Sequence, residues 1–246
     1  METKETEKKV STIKSSKAIG VVLATSMSVV IGLFFFIPYI TESYTINTIV
    51  RQSINSAEQI KLTRAYYSKN VVKDVKKFAP QMSFSYNHGG ANGVLPLPTT
   101  LIHDLSKVFS EKTGLKYQLY SEYPFKNRSK RKLTPFQKEA IKYTQKHDDG
   151  IYVKRDILDG KEVVRVATTD FMTDKTCVNC HNNHFSRTWE KGKWSIGDKR
   201  GVLEVITPLE AELDEHALMR NYIILFILGM SFLAFLYLWF SRSKKL

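Results

Sequence analysis

The chain has 246 residues, 43% of them hydrophobic and 25% charged, with a formal net charge of +13. Mean hydropathy is nevertheless negative, so the apolar residues are concentrated in a few places around a polar body. The charge does not force nucleic-acid binding: with the basic tails set aside, residues 41–221 carry 29 Lys+Arg against 21 Asp+Glu, a moderate excess of about +8 that suits a solvated surface, an anionic partner or a lipid surface.

The first predicted element is Ala18 to Ile40, 23 residues without a charge, and its counterpart near the C-terminus is Tyr222 to Phe240, 19 residues without one. A bilayer core about 30 Å thick needs roughly 20 apolar residues of helix, and a buried core helix would keep a polar face that neither stretch has. Both are expected to span a membrane. The first is too long for the apolar core of a signal peptide and runs into bulky Phe34, Phe35 and Phe36, which points to an uncleaved anchor. Lysines 4, 8, 9, 14 and 17 precede it, and Arg242, Lys244 and Lys245 follow the second span. The positive-inside rule then predicts cytoplasmic tails at 1–17 and 241–246, spans at 18–40 and 222–240, and residues 41–221 outside the cytoplasm. That outer domain would lie in the periplasm, held on the bacterial inner membrane.

Within the outer region, residues 42–78 lack Pro and Gly and place apolar residues at helical spacing, from Ile46 and Ile49 to Val72 and Val75. A long helix continuing out of the first span is expected. A loop follows at Asn87 to Gly93, then a helix from Thr99 to Thr113 stopped by Gly114. Leu115 to Tyr120 reads as a strand, and Thr134-Pro135 opens a helix running to about His147. Ile151–Ile157 and Glu162–Thr169 form a hairpin pattern around Leu158-Asp159-Gly160-Lys161. Gly201 to Thr207 supplies another strand, and a helix is expected from Pro208 to Arg220. The expected fold class is α+β.

The two cysteines lie in Cys177-Val178-Asn179-Cys180-His181. C-x-x-C-H is the signature of covalent haem attachment: two thiols three positions apart add to the two haem vinyl groups, and the adjacent His181 reaches the iron from the proximal face. One covalent haem c is therefore expected, in a compartment that agrees with the topology. Three other uses of these residues compete. A structural disulfide would close only a tight loop and leave the His unexplained. A thioredoxin-like pair should sit at a helix start after a strand, whereas Asp174 to Phe185 reads as a polar loop. A zinc site could draw on both Cys, His181 and His184, with unusually tight His placement. No Gly-rich phosphate loop, H-E-x-x-H or G-x-S-x-G is present, and no enzymatic activity is expected.

Several further stretches carry a resemblance. Tyr66-Tyr67-Ser68-Lys69-Asn70-Val71-Val72, Val94-Leu95-Pro96-Leu97-Pro98-Thr99-Thr100 and Ile102-His103-Asp104-Leu105 are three of them. Tyr123-Pro124-Phe125, Asn127-Arg128, Lys130 to Gln137, the Cys-His motif and Gly197-Asp198-Lys199-Arg200-Gly201-Val202 continue it in order. Over roughly 45–215 the chain resembles a family of c-type haem sensor domains often found ahead of histidine kinases. The resemblance implies a PAS-like domain, an antiparallel sheet with flanking helices, here bracketed by the two transmembrane helices. It also implies a sensor of redox state or of a small gas. Only Ser241 to Leu246 follow the second span, so no fused output is expected, and sensing would act through a separate membrane partner. A single-haem electron-transfer cytochrome with a redox partner is the alternative. A homodimer is compatible with either role; a nucleic-acid partner is not expected.

The sixth iron ligand separates these roles. His88, in the Asn-His-Gly-Gly loop, and His103 are the distal candidates, with Met82 and Met172 behind them and an open site also compatible. His184 lies too close to His181 in sequence to reach the opposite face. Haem propionates need cationic or hydrogen-bonding partners, and Arg128, Arg131 and Arg200 are the candidates because they sit in the segments that carry the resemblance. Trp189 and Trp194 are candidates for packing on the haem.

Overall fold

The computed structural model describes residues 2–184, 186–188 and 192–243. It divides into two units, one of residues 46–210 and one of the residues before 46 and after 210. The fold is α+β, as expected.

Helix α1 runs from Glu2 to Tyr66 without interruption, Pro38 included. It passes into a π-helical turn, Tyr67–Val72, and then into α2, Lys73–Phe78. The helix expected over 42–78 does continue directly from the apolar stretch at 18–40, with the π-helical turn inside it. Two short parallel strands that the sequence pattern did not reveal follow, β1 Ser83–Ser85 and β2 Val94–Pro96. Helix α3 spans Pro98–Thr113, with Pro at its first position and Gly114 at φ 74° ending it. Proline is pre-organised for a helix start, and only glycine takes the left-handed stop without strain.

Strand β3, Lys116–Tyr120, leads through a 3-10 turn at Lys126–Arg128 to α4, Pro135–Lys146. A reciprocal capping box between Thr134 and Gln137 fixes the start of α4. The hairpin forms β4, Ile151–Leu158, and β5, Lys161–Phe171. At its tip Asp159 and Gly160 both have positive φ, the geometry that matches the right-handed twist of the two strands. Helix α5 is Lys175–Asn183, and β6 is Lys199–Pro208. The last helix, α6, begins at Glu210 rather than at Pro208 and continues to Ser243. Pro208 is still paired with Val163 in the ladder, so the sheet, not the helix, claims it.

Strands β3, β6, β5 and β4 form one antiparallel sheet in that order. Alternation on β6 sorts the two faces. Leu203 and Val205 pack with Ala57 and Ile60 of α1, Ile102 of α3, and Tyr117 and Leu119. Val202 lies in the opposite layer with Phe136, Ala140 and Ile141 of α4. Covered on both faces, the central strands β5 and β6 are buried almost throughout.

In the other unit, α1 and α6 each contain a stretch long and apolar enough to cross a membrane. Their large apolar side chains point outward; Phe35 is 73% exposed and Phe226 is 70% exposed.

Candidate haem-attachment site

The Cys-His motif does not lie in a loop. Asp174 caps α5 by accepting from the Thr176 amide at 2.7 Å, and that bond holds its carboxyl below the usual range. Cys177, Cys180 and His181 follow within the helix. Positions i, i+3 and i+4 share one helical face, so both thiols and the imidazole are presented together. The loop expectation failed because Asn, Asp and Thr lower helix propensity in this short stretch, and the cap outweighs them.

This placement removes the ground on which a thioredoxin-like pair was set aside, since the motif does open a helix just after β5. The electrostatics still separate the two cases. Both cysteines are free thiols, and burial pushes both up from the ordinary thiol range, with Arg64 opposing at Cys177 and Lys76 at Cys180. Redox-active pairs need the reverse shift. Among the described residues no group of three or more His, Cys, Asp or Glu is disposed to hold a metal ion, so the donors of the zinc reading do not converge.

His181 is held by elements that lie far apart in sequence. Arg200 donates from Nε to His181 Nδ1 at 3.2 Å, and the Phe125 ring lies 5.0 Å from the imidazole. Burial first, and then the Arg200 charge, bring His181 down to about 3; the ring is neutral at pH 7. Arg200 is itself buried and is drawn down to about 10 by desolvation. Its other nitrogens donate to Ser121 Oγ and to the Tyr123 carbonyl, and its guanidinium lies 5.0 Å from the Trp194 ring. Asn182 pins Trp194 to α5 by exchanging two hydrogen bonds with its backbone, at 2.7 and 2.9 Å. Trp194 thus packs beside the motif, against Tyr123. Trp189 lies outside the described residues.

The donor set fits a c-type haem: two free, neutral thiols and a neutral imidazole on one helical face. One adjustment follows from hydrogen-bond direction. A guanidinium only donates, so the tautomer paired with Arg200 carries its proton on Nε2. Ligation of iron through Nε2 would move that proton to Nδ1 and release Arg200.

The remaining candidates divide into two groups. Arg200 adjoins His181, but Arg128 and Arg131 gather near His103 on α3, whose protonation both disfavour. His88 is occupied by Asp104, Nε2 to Oδ2 at 2.8 Å. Met172 is buried, with its backbone bonded to Gly197 and Asp198, and Met82 is half-buried. The described contacts of His181 include none of these four distal candidates.

Two residues of the site gave no signal in the sequence. Arg64 of α1 and Asp170 of β5 form a bidentate pair, with Nη1 to Oδ2 at 3.0 Å, beside Cys177 and within electrostatic reach of His181. Their separation of 106 positions hides the pairing from any local pattern. Helix α5 packs against the π-helical turn that follows Arg64. Phe125 was visible only as part of the Tyr-Pro-Phe resemblance.

A family model described as Tll0287-like matches residues 42–208. No curated protein matches the chain. A crystal structure described as that of the cyanobacterial haem protein Tll0287 aligns at 15% identity over 65% of this chain and 93% of that one, with a TM-score of 0.39.

Proposed function

The chain belongs to the Tll0287-like family, and from that premise we propose that it is a membrane-anchored haem c protein whose outer, PAS-like domain senses redox state or a small gas and acts through a separate partner. The observation that carries the haem assignment is the single face of α5 bearing Cys177, Cys180 and His181, with both thiols free. Membership in a family with a structurally characterised haem protein supports it. Haem, when bound, supplies a redox-active iron and a coordination site. The protein's own part is to present two thiols for thioether formation, to offer one imidazole to the iron, and to bury that imidazole so that it stays neutral.

The packing of α5 on the π-helical turn favours sensing over simple electron transfer. Single π turns inside α-helices occur frequently at functional sites. This one continues directly from α1, the helix that carries the first apolar stretch. A change at α5 would therefore be felt by the same backbone that is proposed to enter the membrane. The basic residues flanking the two apolar stretches support a periplasmic domain with cytoplasmic tails.

The test is the visible spectrum of the full chain, matured in a strain competent for haem attachment, oxidised and reduced, with and without carbon monoxide. Covalent haem that survives denaturation and is lost in Cys177→Ser/Cys180→Ser is the expected result; its absence refutes the assignment. Carbon monoxide binding to the reduced protein supports gas sensing. A six-coordinate haem that ignores carbon monoxide leaves redox sensing or electron transfer.

A further inference from the structure

We infer that His103, Arg128 and Arg131 form a binding site for a small carboxylate or oxyanion at the free edge of β3. The site is distinct from the iron-ligating face of α5. Three features of the fold build it. Strand β3 is an edge strand, and its outer hydrogen-bonding groups are taken by side chains: the Tyr117 amide donates to Ser106 Oγ of α3 at 2.8 Å, and the Leu119 carbonyl accepts from Arg131 Nη1 at 3.1 Å. His103 lies one helical turn before Ser106. Because α3 and β3 run antiparallel around Gly114, that turn carries His103 along the strand from Tyr117 toward Leu119 and Arg131.

His103 Nε2 is completely buried there without a hydrogen-bond partner. A buried polar nitrogen left unpaired is unfavourable, and an accepting oxygen would remove that cost. Arg128 shares the location. It is held by a backbone bond to the Phe125 carbonyl at 2.8 Å, and its guanidinium makes no ion pair or hydrogen bond among the described residues. Burial and the neighbouring Arg131 both disfavour its charge. Two guanidiniums brought together beside an orphaned imidazole lack one thing, an anion. Asp104, the carboxylate near Arg128, is already bonded to His88.

The chemistry required is an acceptor-only group with two or more oxygens. One N–H of Arg128, the remaining N–H groups of Arg131 and the Nε2–H of neutral His103 would point at it. Two sources supply that chemistry: a propionate of the haem, or a free small anion. The segment joining Phe125, which touches His181, to Arg128 and Arg131 makes either arrangement one that reports to the haem helix. The inference concerns His103 as a hydrogen-bond donor, and it stands or falls apart from covalent attachment.

The experiment is isothermal titration calorimetry of the full chain in detergent with sodium acetate and with inorganic phosphate. It is run on the haem-free Cys177→Ser/Cys180→Ser protein and on the haem-loaded protein. The expected result is saturable binding of at least one probe to the haem-free chain, weakened at least about tenfold by Arg128→Gln and by His103→Phe. Arg131→Gln also removes a bond to β3, so it is read only where its circular dichroism matches the parent. Loss of probe binding on haem loading identifies a propionate as the natural occupant; equal binding to both forms identifies a free anion. No binding to the haem-free chain, or binding unaffected by Arg128→Gln and His103→Phe, overturns the site. Absence of haem from the parent protein would refute the proposed function while leaving this titration intact.

Discussion

Replacing Arg165 by Met should destabilise the outer unit by about 3–5 kcal/mol, the range for removing one partner of a buried ion pair. Arg165 lies on β5, facing α4, and its side chain is 5% exposed. Its Nε donates to Glu204 Oε1 at 2.7 Å and its Nη1 to Asp156 Oδ2 at 2.8 Å, while the guanidinium stacks 3.7 Å from the Phe136 ring centroid. Glu204 is fully buried on the neighbouring strand. Burial raises its pKa and Arg165 opposes that rise. Without Arg165 the carboxylate would have to take up a proton to remain inside. Met fills much of the stem volume, so the loss is electrostatic rather than a cavity.

Glu204→Gln alone should cost less, about 1–3 kcal/mol, because Arg165 keeps Asp156 and Phe136. The double variant Arg165→Met/Glu204→Gln should lose well under the sum of the two single losses, since no unpaired charge is left in the core. The assay is urea unfolding of the full chain in detergent, followed by near-ultraviolet circular dichroism. A loss under 1 kcal/mol for Arg165→Met, or strict additivity in the cycle, would refute the claim that this pair compensates a buried charge.

Three further outcomes follow from the same structure. In the haem-free Cys177→Ser/Cys180→Ser protein, without added carboxylate or phosphate, His103 and His181 protonate at about 4 and about 3, against 6.5 when unfolded. The unfolded chain therefore binds protons first, and stability falls as pH drops below 6.5, by up to about 1.4 kcal/mol per pH unit for each histidine. His103→Phe should halve that slope between pH 6 and pH 4.5 in urea titrations at fixed pH; an unchanged slope contradicts the burial of His103. Arg64→Met should destabilise by about 3 kcal/mol through the stranded Asp170. It should also slow iodoacetamide modification of Cys177 in a Cys180→Ser background, because Arg64 is the charge that favours that thiolate; faster modification would contradict this. Thr134→Ala removes the capping box of α4 and should cost about 1 kcal/mol, read as a shift in the urea midpoint at unchanged slope.

Much of the fold was legible in the sequence because the deciding interactions are local. The apolar stretches, the Gly114 stop, the Thr134-Pro135 start and the Asp159-Gly160 tip each encode a backbone conformation within a few residues. The Cys-His motif was equally plain, since two cysteines and a histidine at fixed spacing can be recognised without reference to the rest of the chain. What the local pattern misjudged was in one case local, Asp174 capping a short helix where polar residues suggested a loop, and in the other long-range, Pro208 drawn into the ladder by its pairing with Val163.

The tertiary structure decided what depends on distant partners. Arg200 lies beside His181, whereas Arg128 and Arg131 lie beside His103, although all three were candidates on equal terms. Arg64 and Asp170 meet only because α1 packs across the sheet, and Phe125 reaches His181 from a bridge it forms with Arg187 just beyond α5. Charge and burial at these positions are set by which elements cover them. A sequence specifies side-chain chemistry directly, but desolvation and Coulomb energy depend on distances through space, and only the folded chain fixes those.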